Sequence, residues 1–204
     1  MLWRRETVRI QTRSGRDVTQ PWLDIATAAM ELPPDTVLDG ELVIWRDGKS
    51  DFDAVRSRAS ARGRRLAYLA HRYPASCAAW DCLMTDGQDL RARSYLERSA
   101  ALLEVLEPLG PPLQAVPATD DVDVTRVWSE VLPEQGVDGI VAKCATGLYR
   151  WAGRGGRCGT VRGSTPTSSA APAPPRAPST WLCGFLMAVP RSPRPCPGRW
   201  PRRS

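Results

Sequence analysis

Alternating and periodic apolar positions divide residues 1–150 into short strands and helices. Glu6 to Gln11 alternates as a strand does, and Ser14-Gly15-Arg16-Asp17 after it has turn composition. Pro21 to Glu31 suits a short helix, with Pro in its first turn and Pro33-Pro34 beyond its end. Val37 to Trp45 predicts a strand, closed by Asp47-Gly48, a pair that favours a tight hairpin because both residues tolerate positive φ. Ala75 to Leu83 is a further apolar strand. Ser94 and Glu97 have the capping-box spacing and predict a helix with Leu96, Leu103 and Leu106 on its inner face and Pro108 past its end. Asp123 to Leu132 reads as another helix, and Gly139 to Cys144 as a short strand carrying a lysine near its end. Strands and helices mix without a regular βαβ rhythm, so the predicted class is α+β.

Composition changes this picture only after Arg150. The chain has 204 residues and a net charge of +6, yet residues 151–204 hold nine Arg, ten of the nineteen Pro and no acid. Residues 1–150 therefore carry a net charge of −3, and the high isoelectric point belongs to the last quarter alone. That segment buries too little to offset chain entropy and is expected to be mostly disordered, with only Trp181 to Val189 apolar enough to pack. No apolar run approaches the ~20 residues of a membrane span and no signal peptide is visible, so a cytoplasmic protein is expected.

Several chemistries are excluded by inventory. One histidine, His71, leaves a Ser/His/Asp triad or a multi-histidine zinc site hard to build. The six cysteines contain no Cys-x-x-Cys pair, and no phosphate-binding glycine loop of the Walker type is present. What remains is polar residues at strand ends. Glu41, after Asp39-Gly40, either faces outward or binds a hydroxyl or cation; Lys143 is either a solvated strand end or a phosphate-directed charge. Trp80 is either core or a platform on which a base stacks.

Taken in order, these positions match a family pattern. Thr12-Arg13-Ser14-Gly15-Arg16-Asp17-Val18-Thr19 resembles the Ser-Arg-x-Gly-x-x-x-Thr segment of ATP-dependent DNA ligases, and Leu38-Asp39-Gly40-Glu41-Leu42 resembles their next nucleotidyltransferase motif. Ala79-Trp80-Asp81-Cys82-Leu83, Gly87 to Arg91 and Tyr95-Leu96-Glu97-Arg98 resemble the Phe-Asp-Leu-Leu segment and the helix after it. Gly136 to Lys143 is similar to Glu-Gly-x-Val-x-Lys, with Tyr149 as the trailing tyrosine. The resemblance covers about residues 5–150 and implies a nucleotidyltransferase (adenylation) domain that uses ATP and Mg2+, acting as a monomer on nicked double-stranded DNA. It implies that Arg13 contacts nucleotide or DNA backbone, Glu41 holds ribose or supports metal, Trp80 stacks on adenine, Asp138 helps bind metal, and Lys143 faces phosphate. Asp138 stands where the family has Glu and is one methylene shorter.

Two family elements are not found. The nucleophilic lysine of Lys-x-Asp-Gly precedes the Arg-x-Gly turn in the family, and no such lysine is present, so no catalytic nucleophile is assigned. Lysine occurs only at positions 49 and 143, and Lys49 reads as a solvated hairpin tip. After Tyr149 the family continues into an oligonucleotide-binding barrel, whereas this chain turns abruptly to Arg, Pro and Ala. A shifted reading frame accounts for the change: Ser164 to Ala171 in GC-rich codons, read two nucleotides later, can give Asp-Thr-Asp-Val-Val-Gly-Gly. Sequencing the gene tests this; a basic tail that binds DNA phosphates is the rival. The expectation is a partial adenylation domain, residues 1–150, that does not adenylate itself. The alternatives are a non-catalytic ATP- or DNA-binding remnant, and an RNA-ligase or capping-type nucleotidyltransferase.

Overall fold

The structure, a computed structural model, describes residues 1–137 and 139–150 and, after them, the backbone of two strand segments. Strands β1 (Leu2–Arg4), β2 (Val8–Ile10), β3 (Thr36–Arg46), β5 (Ala75–Thr85) and β6 (Gln88–Asp89) form a sheet in the order β2-β1-β3-β5-β6, with β4 (Lys49–Ser50) folded back on β3 and β7 (Leu113–Ala115) parallel to β5. A second sheet runs β10-β9-β11-β8, from β8 (Ala118–Thr119), β9 (Gly139–Cys144), β10 (Thr160–Val161) and β11 (Trp181–Leu186). Helices α1 (Leu23–Ala28), α2 (Phe52–Ser60), α3 (Gly63–Arg72), α4 (Tyr95–Leu106) and α5 (Val122–Val131) complete an α+β fold, as expected.

The main core lies between the first sheet and its helices. Leu38, Ile44, Cys77, Ala79 and Cys82 pack there against Ile25 and Ala29 and against Leu102, Val105 and Leu106 of α4. Burial pushes the Cys77 and Cys82 thiols up to about 11, so both are inert packing groups. A smaller cluster of Val43, Ala78, Leu132 and Val137 sits on the other face of β3 and β5. Turn chemistry shapes the edges: Asp47 and Gly48 take φ of 52° and 75° between β3 and β4, as the Asp-Gly pair predicts.

Three differences from the sequence reading have physical causes. Strand β1 was not anticipated, because three residues are too few to show alternation. Helices α2 and α3 were not anticipated either: the buried residue of α2 is Arg58, which masks its apolar stripe, whereas α3 carries a short stripe of Leu66, Leu69 and Ala70 that went unread. The capping box of α4 forms, with the Ser94 hydroxyl receiving the Glu97 amide and the Glu97 carboxylate receiving the Ser94 amide. Its inner face, however, is Tyr95, Arg98, Leu102, Val105 and Leu106. Leu96 and Leu103, expected inside, are 51% and 53% exposed. An arginine occupies the buried stripe, which displaces the apolar positions by a fraction of a turn. The expected disorder of 151–204 falls outside the described residues, apart from β10 and β11; β11 lies in the stretch singled out as able to pack and pairs with β9. Among the described residues no helix is long and apolar enough to cross a membrane.

Candidate functional site

Polar groups converge where β3, β5, β9 and the start of α4 meet. Across β3 and β5, Leu38 pairs with Cys82, Asp39 with Asp81, Gly40 with Ala79 and Glu41 with Ala78. The register slips twice here, leaving Leu83 and Trp80 as extra residues of β5. Gly40 is the residue that permits this approach: a Cβ at that position would lie 2.5 Å from the Ala78 carbonyl oxygen and 2.8 Å from the Ala79 Cα. Asp-Gly-Glu is therefore a packing requirement as well as a chemical one. The glycine lets the strands close, and its neighbours place two carboxylates on one face of β3.

The slip sets Asp39 opposite Asp81, and directly opposed side chains lie about 5 Å apart at Cβ, so two ionised carboxylates there need counter-charges. The structure supplies them. Arg98 grips Asp81 with both prongs, Nε to Oδ1 at 2.7 Å and a terminal nitrogen to Oδ2 at 3.1 Å, while another terminal nitrogen donates to the Arg93 and Gly147 carbonyls. Lys143 reaches from β9 to the same place, donating to the Trp80 carbonyl at 3.1 Å and to Asp81 Oδ2 at 3.3 Å. Its ammonium lies 4.5 Å from the Tyr95 ring centroid. The Tyr149 hydroxyl donates to Asp39 Oδ2 at 2.9 Å. Main-chain bonds from Leu96 to Ala145 and from Tyr149 to Arg91 tie the end of β9 to the start of α4, which fixes these reaches.

Electrostatics follow from burial. The side chains of Arg98 and Asp81 are 3% and 2% exposed, that of Lys143 20%. Burial lowers the Lys143 pKa below the usual lysine range, and Asp81 and Asp39 partly oppose this. Burial beside Asp39 and Asp81 raises the Tyr149 pKa, so its hydroxyl stays a donor. Two of the three ammonium hydrogens of Lys143 have partners among the described residues, leaving one for a ligand.

The sequence-based candidates are distributed unevenly. Lys143 and Trp80 meet, though through the main-chain carbonyl of Trp80; its side chain is half-buried at the bulge. Glu41, also half-buried, shares a strand face with Asp39. Arg13 sits apart, on the exposed turn beyond β2, with β1 between β2 and β3. Asp138 lies outside the described residues. Sequence reasoning gave no role to Asp39, Asp81 or Arg98. Arg98 carried a usable signal: it falls three residues after Tyr95 and four before Leu102, on the buried stripe of α4, where an arginine needs a carboxylate.

The donor set can be weighed against a metal ion. Among the described residues no group of three or more His, Cys, Asp or Glu could hold one alone. Asp81 is committed to Arg98 and Lys143, and Asp39, which accepts from Tyr149, and Glu41 are half-buried carboxylates on β3. One or two carboxylates suit Mg2+ that arrives on nucleotide phosphates and keeps several waters.

Comparison with known proteins identifies the family. A family model of the ATP dependent DNA ligase domain matches residues 1–158. DNA ligase C2 of Mycolicibacterium smegmatis is 35% identical over 137 residues, covering 67% of this chain and 39% of that protein. DNA ligase C of Mycobacterium tuberculosis is 32% identical over 143 residues, covering 68% of this chain and 40% of its own length. This chain thus spans about two fifths of these curated relatives. Among solved structures, the ligase domain of M. tuberculosis LigD superposes with a TM-score of 0.50 at 27% identity, covering 70% of this chain and 43% of that one. With more than half of its length inside the family model, and with that fold, the chain belongs to the ATP-dependent DNA ligase domain family.

Proposed function

We propose that residues 1–150 form the nucleotide-holding part of a DNA ligase adenylation domain, and that the chain as it stands binds ATP without becoming adenylated. The observation that carries this reading is Lys143, a half-buried ammonium bridging the two sheets beside Asp81 with one hydrogen left to donate. A cation so held suits a phosphate group, since a charge already desolvated loses little on binding and acts in a low dielectric. Trp80 supplies a surface on which adenine stacks, and Glu41 receives a ribose hydroxyl or supports a phosphate-bound cation. Mg2+ carried on the nucleotide phosphates would be held by Glu41 and Asp138 and would screen the phosphate charge. Arg13, on its exposed turn, serves the nucleotide or the backbone of nicked double-stranded DNA, engaged by a monomer in the cytoplasm.

The lack of self-adenylation rests on the two lysines. Covalent transfer needs an amine aimed at the α-phosphate. Lys49 is exposed on the β3–β4 hairpin, and Lys143 donates to Asp81 and Trp80. Incubation with labelled ATP and magnesium tests the proposal: no AMP–protein band is expected, and a band would refute it. Binding is read separately. ATP should quench tryptophan fluorescence, and Trp80→Ala should remove most of that change although seven other tryptophans remain; unchanged quenching would put adenine elsewhere.

A further inference from the structure

Asp81 is shared unequally between two cations. Arg98 holds it at 2.7 and 3.1 Å, whereas Lys143 stands at 3.3 Å. Were Asp81 held by Lys143 alone, its full charge would draw the ammonium into a tight buried pair and leave it less to offer a ligand. Arg98 cannot move freely to relax this, because a terminal nitrogen is fixed on the Arg93 and Gly147 carbonyls and its guanidinium lies 5.8 Å from the Tyr95 ring centroid and 5.7 Å from that of Tyr149. Among the described residues the charged and titratable groups around Lys143 are Asp81 on β5, Asp39 on β3, Arg98 and Tyr95 on α4, and Arg98 is the one that neutralises Asp81 from the helix side.

We propose that Arg98 is a positioning residue for phosphate recognition: its two-pronged grip on Asp81 occupies that carboxylate and holds the Lys143 ammonium between β9 and β5 with a hydrogen to donate to a nucleotide phosphate. Arg98 itself touches no ligand in this scheme. The inference rests on the reading of Lys143 as the phosphate-facing cation and adds what sets that cation's geometry and strength. Lysine at position 98 would keep the charge but present a single donor group without the planar fork, so Asp81 would shift towards Lys143.

The test compares ATP with adenosine, which lacks phosphates, by calorimetry on the full 204-residue chain with magnesium. The variants are Arg98→Lys, Lys143→Ala, their combination, and the Asp81→Asn/Arg98→Gln pair, which removes both buried charges together and so keeps a folded comparison if Arg98→Lys unfolds. The wild type is expected to prefer ATP, and Arg98→Lys to reduce that preference about tenfold, as losing one charge-assisted hydrogen bond would, with adenosine affinity unchanged. The paired variant is expected to lose it likewise. In the Lys143→Ala background Arg98→Lys should change the preference less than about twofold, since its effect runs through Lys143. A wild-type preference that survives in Arg98→Lys and in the paired variant overturns this inference alone. Equal weakening of ATP and adenosine overturns it too, as Arg98 would then be structural only. A wild type without preference overturns the phosphate reading of Lys143 and this inference with it.

Discussion

Among the described residues two arginines are buried, Arg58 and Arg98, and their partners differ. Arg58 of α2 donates to the carbonyls of Pro21 and Tyr73 at 3.0 Å each and to Asp24 at 2.5 Å, and lies over Trp22 with 4.6 Å to the ring centroid. Its carboxylate partner is 36% exposed, so water shares the charge of Asp24. Arg98 of α4 faces a carboxylate that is only 2% exposed and that a second cation also approaches. The first arrangement is closed: one cation, one carboxylate and two carbonyls clamp α2 to the start of α1 and the end of α3. The second is open, because Lys143 keeps a hydrogen to donate. A buried arginine by itself thus says little about function; the burial of its carboxylate and the presence of a further cation distinguish a clamp from a site.

The largest effect expected from breaking this comparison is Arg98→Met, which leaves Asp81 sealed from water with Lys143 as its remaining counter-charge and should cost about 3 kcal/mol in thermal unfolding. Next, Gly40→Ala should cost about 1–3 kcal/mol, because the added methyl meets β5 backbone and must part the strands that bring Asp39 to Asp81. Arg58→Met should cost about 2 kcal/mol, less than Arg98→Met because Asp24 can be rehydrated; equal losses for the two arginines would remove the distinction between them. Tyr149→Phe deletes one donor to half-buried Asp39 and should cost about 1 kcal/mol.

A separate, pH-dependent effect concerns the apolar core that the charged site adjoins. Cys77 and Cys82 ionise at about 11 in the folded chain but near the ordinary value of 9.0 when unfolded. Between those values the folded state binds more protons, so stability should fall as pH rises from about 9 to about 11. Replacing both cysteines by alanine should flatten that limb of a urea-midpoint profile, and an unaltered slope would assign it to other groups.

Strand and helix positions with strong local signals were readable in advance. The β3 region, the Asp-Gly hairpin, the Ser94–Glu97 capping box and the β9 strand each depend on residues close in sequence, and each formed where expected. Helix α2 was hard to read, since its buried position is an arginine held by the Arg58 clamp, whereas the short stripe of Leu66, Leu69 and Ala70 in α3 was a legible signal left unused. The site divides in the same way. That Glu41, Trp80 and Lys143 matter was visible from motif order along the chain, while Asp39 and Asp81 stood inside the same motifs without a role. That Asp39 faces Asp81 depends on two one-residue slips in strand register, and that Arg98 holds Asp81 depends on how α4 rotates about its axis. Register and rotation are decided by packing between segments distant in sequence, where one arginine seeking its carboxylate outweighs two leucines left at the surface. Local chemistry therefore named some of the participants, and long-range packing added Asp39, Asp81 and Arg98 and chose which of them touch.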